Sequence, residues 1–283
     1  MHSLIPYFEP PALELPIPLP NGNHLTIHAF GVFVALGVVL GAQVAMKKAK
    51  KDGYDPEVIN RFVTWIIVGI FVGGHLGHAL FYEPQKYLEN PWDLLKVWEG
   101  LSSMGGFIAC GILSVIFFRL YRLPYWPYCD AIAVGLTLGW ALGRMGCFSA
   151  HDHIGTETTF WLGVQGVCPG KEGTTIACHD VGLYEGLYSG LFLLPLFLYL
   201  DRKPRFPGFF VGMLMTLYGP IRFILDLFRA QGVDARYFGL TPGNYGAVVV
   251  SALGVWILVR QHKKAPMVIR VGDAPDLPPP AAA

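Results

Sequence analysis

Two arginines draw attention because of their surroundings. Arg144 sits in GWALGRMGCF and Arg222 in LYGPIRFILD, both inside apolar runs long enough to cross a bilayer. An arginine at mid-bilayer depth costs about 2.5–3.5 kcal/mol on insertion scales, so it normally faces a cavity or a partner. The guanidinium is a planar fork of donors suited to phosphate, and two of them can clamp one phosphate between them. In a bilayer the abundant phosphate is a phospholipid headgroup. Asp226 follows Arg222 by one helical turn and can pair with it. An internal ion pair that merely locks the helices is the competing reading. Asp130, Asp152 and Glu185 place further acidic groups near the ends of apolar runs.

The elements that must position these residues follow from composition. Of 283 residues, 53% are hydrophobic and 14% charged, with mean hydropathy +0.44; an ordinary soluble domain carries roughly 25% charged residues. A soluble enzyme, a disordered regulator and a disulfide scaffold fit poorly, and a net charge of +1 gives no basic surplus for nucleic acid. The pattern predicts an all-α integral membrane protein with seven transmembrane helices, at about 27–46, 62–82, 104–120, 126–145, 182–200, 207–228 and 244–260. Fourteen Lys and Arg fall in the segments joining spans 1–2, 3–4 and 5–6 and in the tail, against five on the opposite side. The positive-inside rule then places the N-terminus outside and the C-terminus in the cytoplasm. Three regions result: an extracytoplasmic segment 1–26, a membrane domain 27–260 with a small extracytoplasmic cap at 147–181 between spans 4 and 5, and a disordered, Pro-rich cytoplasmic tail 261–283. The first residues, MHSLIPYFEP, lack a basic stretch before an apolar core and are not expected to be a cleaved signal peptide.

Small residues recur at four-residue spacing: Gly37 and Gly41; Gly69, Gly73 and Gly77; Gly135, Gly139 and Gly143; Gly182, Gly186 and Gly190. This spacing lets helix backbones approach closely, and compact packing accounts for most of these glycines. Between spans 2 and 3, Pro91 to Trp98 reads as a short interfacial helix. In the cap, TTFWLGVQGV is strand-like. Cys168 and Cys178 flank a nine-residue loop on the oxidising side, and a disulfide between them is expected. Cys110 and Cys129 read as small apolar fillers. His75 and His78 share a helix face, and His151, Asp152 and His153 crowd the end of span 4. No His-Glu-x-x-His or Cys-x-x-Cys spacing is present, so neither a metal nor another cofactor is expected.

Several stretches carry a resemblance. Gly143-Arg144-Met145-Gly146-Cys147-Phe148-Ser149-Ala150-His151-Asp152-His153-Ile154-Gly155 is similar to the signature of prolipoprotein diacylglyceryl transferases, G-R-x-G-N-F-x-N-x-E-x-x-G. In the family's order lie Ile27 to Gly31, Gly73 to Gly77 with Phe81-Tyr82, and Trp98-Glu99-Gly100 before Met104-Gly105-Gly106. They are followed by His179 to Glu185, by Tyr218 to Phe223 with Asp226 and Arg229, and by Gly243-Asn244. The resemblance covers most of residues 27–260 and implies the same seven spans. The family's pattern is not matched at Phe30 (Tyr), Met104 (His), Cys147 and Ala150 (both Asn) and Asp152 (Glu), and His75 stands where an Arg is frequent.

The resemblance implies transfer of the diacylglyceryl group of phosphatidylglycerol to the lipobox cysteine thiol of prolipoproteins, at the outer side of a bacterial cytoplasmic membrane. Phosphatidylglycerol and prolipoprotein signal peptides would be the partners. Arg144 and Arg222 would hold the phosphate, with Asp152 and Asp226 holding the arginines. With Met104 in place of the family histidine, His75, His78, His151 or His153 would have to serve as the base, His151 or His153 being preferred for following Arg144 closely in sequence. Gly105, Gly106, Tyr218, Glu185 and His75 would complete the substrate site. The alternative is a phospholipid-binding relative of the same fold with another acceptor or no transferase activity.

Overall fold

The computed structural model describes residues 5–18, 24–96, 100–230 and 236–264. Helices dominate it: α1 (Ala29–Lys51), α2 (Glu57–Phe81), the short α3 (Pro84–Glu89), α4 (Ser103–Leu120), α5 (Tyr125–Ala150), α6 (Val181–Leu187), α7 (Leu194–Leu200), α8 (Phe209–Leu227) and α9 (Pro242–Gln261). Among the described residues, six helical runs are long and apolar enough to cross a membrane: Ala29–Lys51, Glu57–Leu80, Tyr125–Ala150, Val181–Leu200, Phe209–Leu227 and Pro242–Gln261. Gly105–Leu120 is a shorter apolar helix. This is a multi-pass membrane protein. The third expected span is thus the short one. Ser102 caps α4 by accepting from the Gly105 N–H at 3.3 Å, and the helix stops at Leu120, ahead of Pro124.

The described chain divides into two compact units, one running Ala49–Tyr128 and the other taking the residues up to Lys48 and from Cys129 onward. In the first, α2 lies along α4, and Phe62, Trp65, Phe117 and Phe118 interlock with ring centroids 5.3–5.7 Å apart. The expected interfacial helix begins as a tight helical turn over Pro91–Leu95, with Trp92 exposed; Val97, Trp98 and Glu99 lie outside the described residues, as does the tail beyond 264.

In the other unit α1 crosses α5 at a glycine contact. A Cβ built on Gly135 would stand 2.2 Å from the Gly41 carbonyl oxygen, so the crossing exists only because position 135 has no side chain. The core around it comprises Ala133, Val134, Leu193, Phe197 and Phe210. Helix α8 starts at Gly208 in the left-handed region (φ 91°) and has no side-chain cap of its own. Asp130 of α5 caps it instead, accepting from the Gly208 and Val211 N–H groups at 2.7 and 3.0 Å. A negative group at a helix N-terminus satisfies orphan donors and meets the positive end of the dipole. Asp130 therefore has a structural task.

The run Val181–Leu200 is one helix with a widened turn over Tyr188–Leu193, where the Leu194 N–H reaches back to the Ser189 carbonyl. Pro195 follows at once. It can donate no hydrogen bond, and its ring would clash with the carbonyl one turn earlier, which the wider turn relieves.

Two small sheets correct the all-helical expectation. Strands β1 (Ala12–Pro18) and β2 (His24–His28) form an antiparallel hairpin in the segment 1–26 and the first residues of the expected span 1. Prolines 16 and 18 hid it from the sequence, although a two-stranded ribbon has an outer edge where missing N–H groups cost nothing. After α5, β3 (Ile154–Glu157), β4 (Val164–Gln165) and β5 (Ala177–Asp180) form a sheet in the order β3-β5-β4. Of the strand-like TTFWLGVQGV, only Val164 and Gln165 pair; Thr158 to Gly163 turn, with Gly163 N–H on the Phe160 carbonyl. Cys168 and Cys178 are joined as a disulfide, with Cα atoms 5.4 Å apart.

Candidate active site

Glu185 is the hub. It lies in the first turns of α6, whose N-terminus Asp180 caps through the Leu183 N–H at 3.0 Å, and its side chain is fully buried. The Arg144 Nε of α5 donates to one Glu185 oxygen at 2.5 Å, and the Arg222 Nη1 of α8 donates to the other at 2.8 Å. The Tyr218 hydroxyl also donates to Glu185, at 3.2 Å. Tyr218, Arg222 and Asp226 succeed one another by one helical turn on α8, which aligns them on one face. Arg222 Nη2 bonds Asp226 at 2.8 Å, and Arg229 Nη1 lies 4.0 Å from the same carboxylate. Trp140 covers the Arg144 guanidinium at 4.7 Å and meets Tyr218 edge-on.

The start of α9 closes the far side. Thr241 donates to Asp226 while capping α9 together with Asn244. A Cβ on Gly243 would stand 3.0 Å from an Asp226 oxygen and 3.4 Å from Arg222 Nη2, so the absent side chain leaves this pair room. The buried cluster thus sets three guanidinium groups against two carboxylates.

At the rim, α5 ends at Ala150 and His151 takes a positive φ of 50°. That reversal carries Asp152 and His153 back over Cys147, with the Asp152 N–H on the Cys147 carbonyl at 3.4 Å. The Asp152 carboxylate bonds His153 Nδ1, while His153 Nε2 lies 3.2 Å from Arg144 Nη1. The same Nη1 approaches the Cys147 sulfur at 3.8 Å. His151 is committed elsewhere: its Nε2 donates to the Phe8 carbonyl at 3.1 Å, and its Nδ1 is 3.6 Å from the buried Asp180. Burial opposes charging of this imidazole, but Asp180 and the Phe8 carbonyl outweigh it and hold its pKa above the ordinary histidine value.

The structure therefore brings together Arg144, Arg222, Glu185, Tyr218 and Asp226, with Asp152 and His153 beside Arg144. The expected hold of Asp152 on Arg144 is replaced by Glu185, because Asp152 is spent on His153. His75, Gly105 and Gly106 belong to the unit running Ala49–Tyr128. His75 is buried there with Nδ1 3.3 Å from the Gly100 carbonyl, and the side chain of Met104 is outside the described ones. Sequence reasoning missed the hub role of Glu185 and the Thr241 contact. The i,i+4 spacing revealed Asp226, whereas 37 residues separate Glu185 from Arg222.

The profile of the family described as prolipoprotein diacylglyceryl transferase matches residues 19–263. The chain belongs to that family. Among curated proteins named phosphatidylglycerol–prolipoprotein diacylglyceryl transferase, this member is 30% identical to one from Cereibacter sphaeroides, covering 89% of this chain and 99% of that protein. It is 32% identical to one from Tolumonas auensis (83% and 87%). A third, from Solidesulfovibrio magneticus, shares 31% (90% and 96%). In this diacylglyceryl transferase family member, the paired arginines and their carboxylates form the densest buried charge cluster described above.

Proposed function

We propose that this protein transfers the diacylglyceryl group of phosphatidylglycerol to the lipobox cysteine of prolipoproteins, at the outer face of a bacterial cytoplasmic membrane. The observation that carries the reading is the convergence of Arg144 and Arg222 on Glu185 within 2.8 Å. Glu185 takes only the Nε of Arg144, whose Nη1 faces His153 and Cys147, and a guanidinium edge of this kind can take a phosphodiester monoanion. Family membership and similarity to phosphatidylglycerol–prolipoprotein diacylglyceryl transferases support the same chemistry.

In this reading the acceptor thiol loses its proton and its sulfur attacks the glyceryl carbon that bears the phosphate. A C–S bond forms, the C–O bond to phosphate breaks, and glycerol phosphate leaves with the electron pair. Negative charge grows on the departing phosphate oxygen, where Arg144 and Arg222 stabilise it in the transition state. His153 is the better base of the two candidates. Asp152 holds its Nδ1, leaving Nε2 as the acceptor, whereas His151 is tied to Phe8 and Asp180. When Arg144 turns to the phosphate, it releases Nε2 to take the thiol proton. Asp226 and Thr241 keep Arg222 in register.

The test is Arg222→Gln in membranes supplied with labelled phosphatidylglycerol and a lipobox peptide. Transfer should fall below detection; turnover at the unaltered rate removes the reading. The second reading, a phospholipid binder with another acceptor, rests on Met104 in place of the family histidine. Complementation of a transferase-depleted bacterium separates the two, growth supporting the transferase.

A further inference from the structure

The reversal after α5 gathers a side-chain cluster that the sequence spacing did not announce. One ligand atom from each of Cys147, Asp152 and His153 lies within 4.8 Å of the other two. We propose that these three residues bind a single soft or borderline divalent metal ion such as Zn2+ or Cd2+, and that the bound ion shuts the arginine site.

The donor set supports this. Thiolate, imidazole and carboxylate are the side chains that take zinc, with water able to fill a fourth position. Asp152 now bonds His153 Nδ1, and on metal binding its carboxylate would turn from that nitrogen to supply the third ligand atom. Nε2 and the Cys147 sulfur, moreover, already face a common cation. Arg144 Nη1 stands 3.2 Å from the nitrogen and 3.8 Å from the sulfur. A metal ion bound between them would displace Arg144 from both contacts. Binding converts the Cys147 thiol to a thiolate and releases one proton to solvent, so occupancy should rise with pH.

The consequence for turnover rests on the proposed transferase reading. The ion would occupy the His153 nitrogen assigned as base and displace Arg144 from its present hydrogen bonds.

The full chain, purified in detergent and stripped of metal, should be titrated with Cd2+ while thiolate-to-metal charge-transfer absorption is followed in the ultraviolet. One Cd2+ per chain is expected, with the band absent in Cys147→Ala and affinity at least tenfold weaker in His153→Gln. His153→Gln also keeps the test decisive if Cys147→Ala does not fold. Failure to develop a band, or a band of equal strength in Cys147→Ala arising from Cys110 or Cys129, overturns the site. In the transfer assay, micromolar Zn2+ should inhibit the unaltered protein reversibly, with chelator restoring activity. Stoichiometric binding in a protein without transferase activity leaves the metal site standing and removes the transferase reading. Full turnover with no metal bound does the reverse.

Discussion

Glu185 has two tasks that pull against each other. It must neutralise Arg144 and Arg222 well enough for the chain to fold with them inside, and it must leave them able to take a phosphate. Removing one partner from a buried charge network leaves uncompensated charge and costs about 3–5 kcal/mol. Glu185→Gln, which changes charge but hardly shape, should therefore lower the thermal unfolding temperature in detergent by several degrees. Removing the exposed Glu57, 3.9 Å from Arg61, should leave the melting temperature nearly unchanged. Equal melting temperatures for the two variants would contradict the hub role. His151 gives a second test at this scale. Its pKa is raised in the folded protein, so its contribution is complete below the ordinary value of about 6.5 and is lost as pH rises through the folded pKa. Amide protection factors at Phe8 and neighbouring residues, taken against the intrinsic exchange rate at each pH, should fall over that rise and show no such fall in His151→Gln; identical profiles would remove the link. The sequence displayed the two arginines because charge inside an apolar run is conspicuous. It could not display Glu185 as their shared partner, since that contact depends on how α6 packs against α5 and α8.

At the scale of elements, the apolar runs located each long helix to within a few residues. Their ends were set by contacts the sequence does not announce. Helix α5 continues to Ala150 rather than 145, and α8 starts where Asp130 of another helix caps it. The hairpin and cap sheet were hidden for a different reason: strands of two to seven residues with prolines or turns between them carry no sustained period. The four-residue glycine spacing, by contrast, was directly legible as packing. Gly135→Ala would drive a methyl group into the Gly41 carbonyl, and overpacking of this kind costs about 1–3 kcal/mol. Gly246→Ala in α9 meets no atom within 4 Å and should be neutral or slightly stabilising, because alanine is the better helix former. Thermal unfolding of the two variants side by side decides it. A Gly135→Ala variant as stable as the unaltered chain would show that α1 and α5 do not need this approach.

For the whole molecule the deciding element is α4. Its 18 residues rise about 27 Å, close to the bilayer core of about 30 Å. If it crosses, seven spans put the two ends of the chain on opposite sides, and the basic loops all fall on the cytoplasmic face. If it does not, everything after it changes sides. The loop before α2 and the cap after α5 would then share one face, and Lys171 would lie with Lys47 and Lys50. The disulfide between Cys168 and Cys178 argues for a cap in an oxidising compartment and hence for the crossing. Single cysteines at exposed positions report the outcome. Thr159→Cys in the cap should react with a membrane-impermeant maleimide in intact cells. Lys50→Cys at the end of α1 should react only after permeabilisation. A fluorescent protein fused to the C-terminus should mature, as it does on the cytoplasmic side. Labelling of both cysteines from the same side would mean that α4 does not span, and the arginine site would then have to be reached from the cytoplasm. That outcome would remove an extracytoplasmic acceptor from the proposed reaction, because no lipobox thiol presented at the outer face could reach Arg144 and Arg222.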